Sequence, residues 1–358
     1  MKIIPRYILR HLIPILTLTI FGFVGLYLVV DFFERVDDLL DKPVAMADVC
    51  LYFLLKVPLI VTQGIPVAVL VATVTALGIL KRNRELIGMR AAGISATLYA
   101  GPIVVAALLL SVFHFGLTET VARSMNQKAQ HVWDKQIRHK STPLAWSQEN
   151  VWYHSRDMIY QIMLYDQKRQ TLEKVSLFYL SPEFKLVKRL DAKRFRWESD
   201  RWVAEDGLIL TFNGQSVQQE WFTERPLDLP QTPKDFDALE TLPEELDWLS
   251  LYQYSKKLRG EGYGSAAYDV ELHLRVAFSM TTFILALLGI SIALRQSLHS
   301  GIAWGLVVSL GVAFVYLSVL QVGCSLATAG ILPPFLGVWA GNIIFAALSY
   351  YLWITDRQ

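Results

Sequence analysis

Between Arg295 and Asp356 the chain carries no Asp, Glu, Lys or Arg. A charge-free stretch of that length is foreign to a water-soluble domain and excludes a wholly soluble protein. Cysteine is nearly as scarce. Cys50 and Cys324 are the only two, far apart and at the edges of apolar runs, so no disulfide framework is expected and both read as small apolar fillers. Phosphate-loop chemistry is missing: Gly260-Glu261-Gly262-Tyr263-Gly264 lacks the Lys and the strand-to-helix setting with which a G-x-x-x-x-G-K-[ST] loop cradles phosphates. There is no H-E-x-x-H pair and no G-x-S-x-G elbow, and the 7 His are scattered without metal-ligand spacing. No ATP hydrolysis, metal site or catalytic cluster is therefore expected in this chain. No basic run interleaved with aromatics is present, which sets nucleic acid aside.

What is present is lipid-soluble sequence. Hydrophobic residues make up 53% and charged residues 18% of the 358 positions. A helix needs about 20 apolar residues to cross a bilayer, and such stretches lie near residues 12–30, 57–80, 96–117, 276–294, 302–323 and 334–354. Backbone polar groups in lipid must be satisfied within the segment, so each is expected as a helix. Met1-Lys2, Arg6 and Arg10 before the first run resemble the start of a signal peptide, with Ala45-Met46-Ala47 as a cleavage triplet. The run is too long for that, and Asp31, Glu34, Asp37, Asp38 and Asp41 separate it from the triplet, so an uncleaved first helix is expected. With the N-terminus inside, Lys2, Arg6, Arg10, Lys81, Arg82, Arg84, Arg90, Arg295 and Arg357 collect on the cytoplasmic side, against Arg35 and Lys42 in the short outer loops. Both termini are then cytoplasmic and residues 118–267 lie outside.

That insertion should begin as a helix: Glu119 to Arg138 has no Gly or Pro, and Val121, Met125, Ala129 and Val132 share one side. Strand signals follow at Val151-Trp152-Tyr153, Met158 to Tyr165, Val175 to Leu180, Phe184 to Leu190, Leu208 to Phe212 and Val217 to Phe222. Glu198-Ser199-Asp200 and Asn213-Gly214 read as hairpin turns. The expected module is all-β, a sandwich or jellyroll-like fold. Both phases of Met158 to Tyr165 are apolar, which fits a strand covered on both faces or a groove for lipid chains. The basic residues between Lys185 and Arg201 keep no single phase and read as solvated faces.

Lys81-Arg82-Asn83-Arg84-Glu85-Leu86-Ile87-Gly88-Met89-Arg90-Ala91-Ala92-Gly93 joins the second and third spans. As a helix it presents Leu86, Met89 and Arg90 together with Glu85 beside Arg82. It is either a connector whose basic residues hold the loop inside or a docking helix for a cytoplasmic partner that supplies mechanical work. Within the spans, Lys56 is the exceptional charge, followed by Pro58, Gly64 and Pro66; snorkelling and pairing with an anionic headgroup are both compatible with it. His114 reads as a buried hydrogen-bonding residue.

Lys81 to Ser95, with its Arg-Glu-Leu core and closing Ala91-Ala92-Gly93-Ile94-Ser95, resembles the coupling-helix segment of the lipopolysaccharide-export permeases, the LptF/LptG family. Leu249-Ser250-Leu251, Tyr254, Leu258, Gly262, Tyr268 and Glu271-Leu272-His273-Leu274-Arg275 give a second match, although the family's further Arg and Pro are replaced by Leu274 and Ser279. The likeness covers the whole chain and leans slightly to the LptG side. It implies a membrane α-helical bundle of six transmembrane helices, 3+3, with an inserted periplasmic all-β jellyroll-like domain: residues 1–117 with a coupling helix at 81–95, 118–267, and 268–358.

The resemblance also implies a bacterial inner-membrane half-transporter that pairs with a paralogous permease as a heterodimer and rests on a cytoplasmic ABC ATPase dimer. ATP and magnesium would be used by that partner, and no cofactor bound by this chain. Lipopolysaccharide would leave laterally between the first and fifth helices into the cavity and pass to a periplasmic bridge protein and a single-span LptC-like protein. By carry-over Glu85 meets the ATPase, with Arg82, Arg84, Leu86, Met89 and Arg90 as neighbours. Arg35, Lys42, Lys56, Lys135 and Arg138 are expected at the lipid phosphates and Phe21, Phe23 and Tyr27 at the acyl chains. Rival readings are a lipoprotein-exporting permease, which typically has four spans and its insertion after the first, a membrane enzyme or sensor, and a structural assembly protein.

Overall fold

The computed structural model describes residues 3–40, 45–137, 151–155, 158–166, 171–181, 185–198, 201–213, 216–227, 229, 243–260, 265–295 and 302–355. Contacts divide the chain into two units, Met1–Arg138 with Ala266–Gln358, and His139–Ser265.

The first unit is a bundle containing six helices long and apolar enough to cross a membrane. They begin with α1 (Ile3–Leu40) and α2 (Met46–Arg82), which a short α3 (Glu85–Ala91) joins to α4 (Ala96–Leu117). A π-helical turn at Thr118–Ala122 carries α4 into α5 (Arg123–Val132), and a second follows at Trp133–Ile137. The third span thus runs on past the apolar stretch, as its lack of Gly and Pro predicts. The buried side differs from the expected one: Ala122, Ala129 and Val132 are buried, whereas Val121 and Met125 are exposed. Each π turn takes up extra residues and rotates the buried stripe off a 3.6-residue register.

After the insertion come α6 (Trp248–Gly260, in the second unit), α7 (Ala266–Arg295), α8 (Ile302–Thr328) and α9 (Pro334–Thr355). Asp247 caps α6 by accepting the Ser250 backbone N–H at 3.2 Å. The side-chain and backbone hydrogen bonds from Ser250 hold its carboxyl below the usual carboxylate range. In the bundle α7 packs against α2 and α4 of the first half as well as α9 of its own.

Lipid gives helices no hydrophobic reason to associate with one another, so close packing and internal hydrogen bonds do that work. On α7, α8 and α9 they are provided by Thr281, Tyr316 and Asn342. The Thr281 and Tyr316 hydroxyls lie 2.7 Å apart, Tyr316 donates to Asn342 Oδ1, and Asn342 Nδ2 donates to the Ala277 carbonyl at 3.0 Å. Gly323 of α8 and Gly337 of α9 meet so closely that a methyl on either would strike the other's carbonyl oxygen.

The second unit holds one antiparallel sheet in the sequential order β1-β2-β3-β4-β5-β6. The strands are β1 (Val151–Ser155), β2 (Met158–Asp166), β3 (Thr171–Leu180), β4 (Leu186–Glu198), β5 (Arg201–Asn213) and β6 (Ser216–Leu227). The inserted all-β domain is therefore present, with the strand order of a meander. Glu198 pairs with Arg201, as a hairpin there requires. Asn213 pairs with Ser216, so the second connection is residues 214–215, one position later than the Asn-Gly reading, and lies outside the described residues.

In the three strands β3, β4 and β5 the core-facing side switches at the same level. Buried positions run Leu172 then Val175 and Leu177 on β3, Leu190 and Ala192 then Phe195 on β4, and Trp202 and Ala204 then Ile209 on β5. The phase of alternation flips within β3, β4 and β5 while the register of pairing is the same on either side of the flip. Lys174 and Asp206, both at φ 50, sit at the flip. Such a bend lets one strand serve two layers, which is what the jellyroll-like expectation asks of the domain. On β2 Tyr160 and Ile162 are core and Met163 is exposed. The outer side of the bend is a hollow of about 390 Å³ between Met163, Lys174, Asp191, Lys193, Asp206 and Trp221. Two Lys and two Asp make it a poor groove for acyl chains. Arg194 and Arg196 meet Glu173, Glu198 and Glu205 across the sheet surface.

The Gly323 and Gly337 contact predicts that Gly337→Val lowers stability by about 1–3 kcal/mol through overpacking. Gly341→Ala, whose added Cβ would lie 3.6 Å from Val319 Cγ1, should be neutral or better. Thermal unfolding in detergent checks both, and equal effects would contradict the packing described. In the sheet, Lys174→Gly should relieve a left-handed conformation that costs a side-chain-bearing residue about 1–2 kcal/mol. Calorimetry should find the β unit melting higher; a lower midpoint would show that Lys174 is unstrained.

Candidate functional site

Two groups of polar side chains stand out, near opposite ends of α2. Residues 56 and 82 are about 40 Å apart along it at 1.5 Å per residue.

At the far end of α2 the chain turns through Arg84 in the left-handed region (φ 62) and enters α3. Gly93, at φ 77, ends it: Gly93 N–H donates to the Arg90 carbonyl and Ile94 N–H to the Met89 carbonyl, each at 3.0 Å, a closure that needs the positive φ glycine adopts freely. Leu86 is buried in a cluster with Ile8, Leu12, Leu80 and Tyr99, and Met89 packs against it. The sequence reading grouped Leu86 with the presented residues; it instead anchors the helix. The apolar residue left in the open is Ile87, on a face with exposed Arg84, Gly88 and Ala91. Arg82 and Arg90 are exposed too, and Arg90 Nε donates to Tyr99 Oη at 3.1 Å. Glu85 is half-buried: Tyr7 Oη donates to its Oε2 at 2.7 Å and Asn83 Nδ2 to its Oε1 at 3.3 Å. Lys81 Nζ donates to the Leu294 carbonyl at the end of α7. α3 is thus a short, well-anchored helix with a small cationic and apolar outer face.

Near the start of α2, Lys56 is buried. Its Nζ donates to Asp31 Oδ1 at 2.6 Å and to Tyr52 Oη at 3.1 Å, with the Lys56 and Asp31 side chains 7% and 5% exposed. Its amine turns inward to a carboxylate on α1 rather than snorkelling, and the cost of burying one charge is met by the other. Arg35 Nε shares the same Asp31 oxygen at 3.1 Å, and its guanidinium lies 4.3 Å from the Trp133 ring centroid. Asp31 Oδ2 is buried without a hydrogen-bond partner. Two cations on one carboxylate leave the node with a net charge of +1. Of the other expected phosphate contacts, Lys135 is exposed, whereas Lys42 and Arg138 lie outside the described residues.

Of the three aromatics expected at the acyl chains, Phe23 and Tyr27 share a face, their ring centroids 6.3 Å apart, and Phe21 does not. Phe21 is exposed, Phe23 packs on Gly64, and Tyr27 lies beneath Lys56 with its ring centroid 5.7 Å from Nζ.

Sequence reading missed a cavity of about 570 Å³ between α2, α7 and α8, walled by Leu59, Leu274, Phe278, Phe314 and Leu317 and edged by Gln63, Gln321 and Glu271. Gln63 and Gln321 are conspicuous in apolar spans and were the available signal. Arg275, also in its wall, bridges Glu271 at 2.8 Å and Glu119 at 3.4 Å, joining the start of α7 to the continuation of α4. Beside it, His114 is fully buried with Nδ1 3.0 Å from Thr282 Oγ1, the hydrogen-bonding role expected of it.

A family model described as lipopolysaccharide export system permease LptF/LptG matches residues 6–355. The chain belongs to the LptF/LptG family. It is similar to the lipopolysaccharide export system permease protein LptG of Escherichia coli (strain K12) and to that of Escherichia coli O6:H1, each 21% identical over 99% of this chain and 98% of the relative. That identity supports the family and does not divide its LptF from its LptG members. As an LptF/LptG permease with six apolar helices, the chain is a multi-pass inner-membrane protein and a transport subunit. Within the family match fall both α3 and the Glu271 to Arg275 segment.

The charge node predicts an order among variants. Asp31→Ala strips two cations of their counter-charge and should cost about 3–5 kcal/mol. Lys56→Met, which leaves Asp31 with Arg35, should cost less, and adding it to Asp31→Ala should restore part of the loss. Melting of the three variants in detergent reads this directly, and simple additivity would mean that the pair is not coupled.

Proposed function

We propose that the chain is one permease half of an ATP-driven transporter that extracts lipopolysaccharide from the inner membrane and delivers it to a periplasmic bridge leading to the outer membrane. Its termini and α3 face the cytoplasm and the β unit the periplasm, in keeping with the distribution of Lys and Arg between the short loops. A paralogous permease completes the membrane part as a heterodimer, and an ABC ATPase dimer binds the cytoplasmic face of both. The β unit hands the lipid on to the bridge protein and a single-span LptC-like protein.

The observation that carries this reading is α3. Its inner side is fixed by Leu86, Tyr99 and Lys81, and its outer side offers Arg84, Ile87 and Gly88. A force applied to such a helix reaches the bundle without being absorbed in a loose loop. In this reading the Glu85 carboxylate meets a donor on the ATPase, with Arg82, Arg84, Met89 and Arg90 around it. At the other end the substrate's two chemistries find matching walls. Acyl chains face the apolar cavity of about 570 Å³ and the exposed Phe21. Phosphates approach Arg35 and Lys135, with Lys42 and Arg138 as further expected contacts. Lys56 takes part when a phosphate displaces Asp31 from it, a step the net positive node favours.

The test is purification of the tagged chain with its native partners in mild detergent. Glu85→Lys should reduce the recovered ATPase at least fivefold, because it places a cation among Arg82, Arg84 and Arg90 and removes a charge-assisted hydrogen bond of about 1.5–3 kcal/mol. Undiminished ATPase recovery and unchanged lipid export with Glu85→Lys would count against the docking role.

A further inference from the structure

The Glu85 carboxylate is not simply presented to a partner: one of its oxygens is already taken by α1. Tyr7 Oη donates to Oε2 at 2.7 Å, across 78 positions of sequence. This is the polar contact described between α1 and α3, and the neighbouring contacts of Ile8 and Leu12 with Leu86 are apolar and non-directional. A charge-assisted hydrogen bond is directional and about twice as strong as a neutral one. At its far end α1 is tied again, by Asp31 to Lys56. Between these ties one side of α1 packs on the bundle through Leu16, Ile20 and Phe23, and its other side is open: Leu18, Phe21 and Leu26 are exposed, and Gly22 and Gly25 have nothing within 4 Å of an added methyl. A helix tied near both ends and packed on one side can shift as one body when an end is displaced.

We propose that Tyr7 is a positioning residue: its hydroxyl fixes the Glu85 carboxylate, turns Oε1, which also accepts from Asn83 Nδ2, toward the incoming donor, and makes α1 follow α3 when the ATPase moves. The inference rests on the docking reading of Glu85 and adds the route from the docking helix to the first membrane helix. Arg90 to Tyr99 and Lys81 to the Leu294 carbonyl tie the same segment to α4 and α7. Those helices are clamped to each other by His114 with Thr282 and by Ser111 with the Ser279 carbonyl. Of the helices tied to the docking segment, α1 has the least buried apolar stretch, which makes it the one best placed to respond.

The whole complex, in phospholipid vesicles carrying lipopolysaccharide, tests this through the lipid extracted per ATP hydrolysed at saturating ATPase. Tyr7→Phe keeps the ring and removes the bond, and should lower that ratio about three- to tenfold while the complex still assembles and melts within about 2–4 °C of the unsubstituted one. Built on Glu85→Ala, it should have no further effect. An unchanged ratio, or an equal loss in the Glu85→Ala background, overturns the proposal. Should the unsubstituted complex recover no ATPase, the docking reading itself fails, which is a different result. A second measurement leaves Tyr7 in place in case the variant folds poorly: spin labels at the exposed positions Leu18 and Ala92. Their separation should stay constant to within about 2 Å through the nucleotide cycle, the scale of an ordinary helix shift; a larger change overturns the proposal.

Discussion

A bilayer supplies no water to a charge or a backbone amide, and that constraint orders the molecule. It requires helices wherever the chain is in lipid, and it requires each buried charge to carry its own counter-charge. Lys56 has Asp31, and Arg275 has Glu271 and Glu119. Lys56 with Asp31 and Arg275 with Glu119 join different helices, so the solution to an electrostatic problem also fixes the bundle: α2 to α1 in one case, α7 to the extension of α4 in the other. Where no charge is available, Asn342, Tyr316 and Thr281 make the corresponding tie between α7, α8 and α9.

The same constraint explains what could be read from the chain. Long apolar runs report burial in lipid directly, and the six spans, the helical extension beyond the third and the inserted all-β unit follow from them and from period-two patterning. Partners are harder. That Lys56 turns inward to Asp31, 25 positions away, depends on the relative rotation of α1 and α2, which no local pattern encodes. Leu86 and Ile87 are chemically alike, and only the roll of α3 decides which anchors and which is exposed. The buried side of α5 was misread because π turns leave no compositional trace. The bend in the sheet is visible afterwards as the i, i+3 spacing of Leu172 and Val175 or Ala192 and Phe195, hidden beforehand among Lys193, Arg194 and Arg196.

The two candidate sites are chemically distinct. One is a short anchored helix with a cationic and apolar outer face; the other is a cationic node with an apolar cavity in the same bundle. α1 touches both, through Tyr7 and through Asp31. In the transporter proposed above, work done on one end alters access to a lipid at the other, and a helix secured at both would be a direct means of conveying it.

The central claim is that this bundle moves lipopolysaccharide with the help of a separate ATPase. Mass spectrometry of the complex purified in mild detergent, reading both co-eluting proteins and bound lipid, tests it most directly. The account predicts a second six-helix permease, an ATPase and lipopolysaccharide in the same particle. A chain that emerges alone with bulk phospholipid, and does so again under gentler extraction, would contradict it.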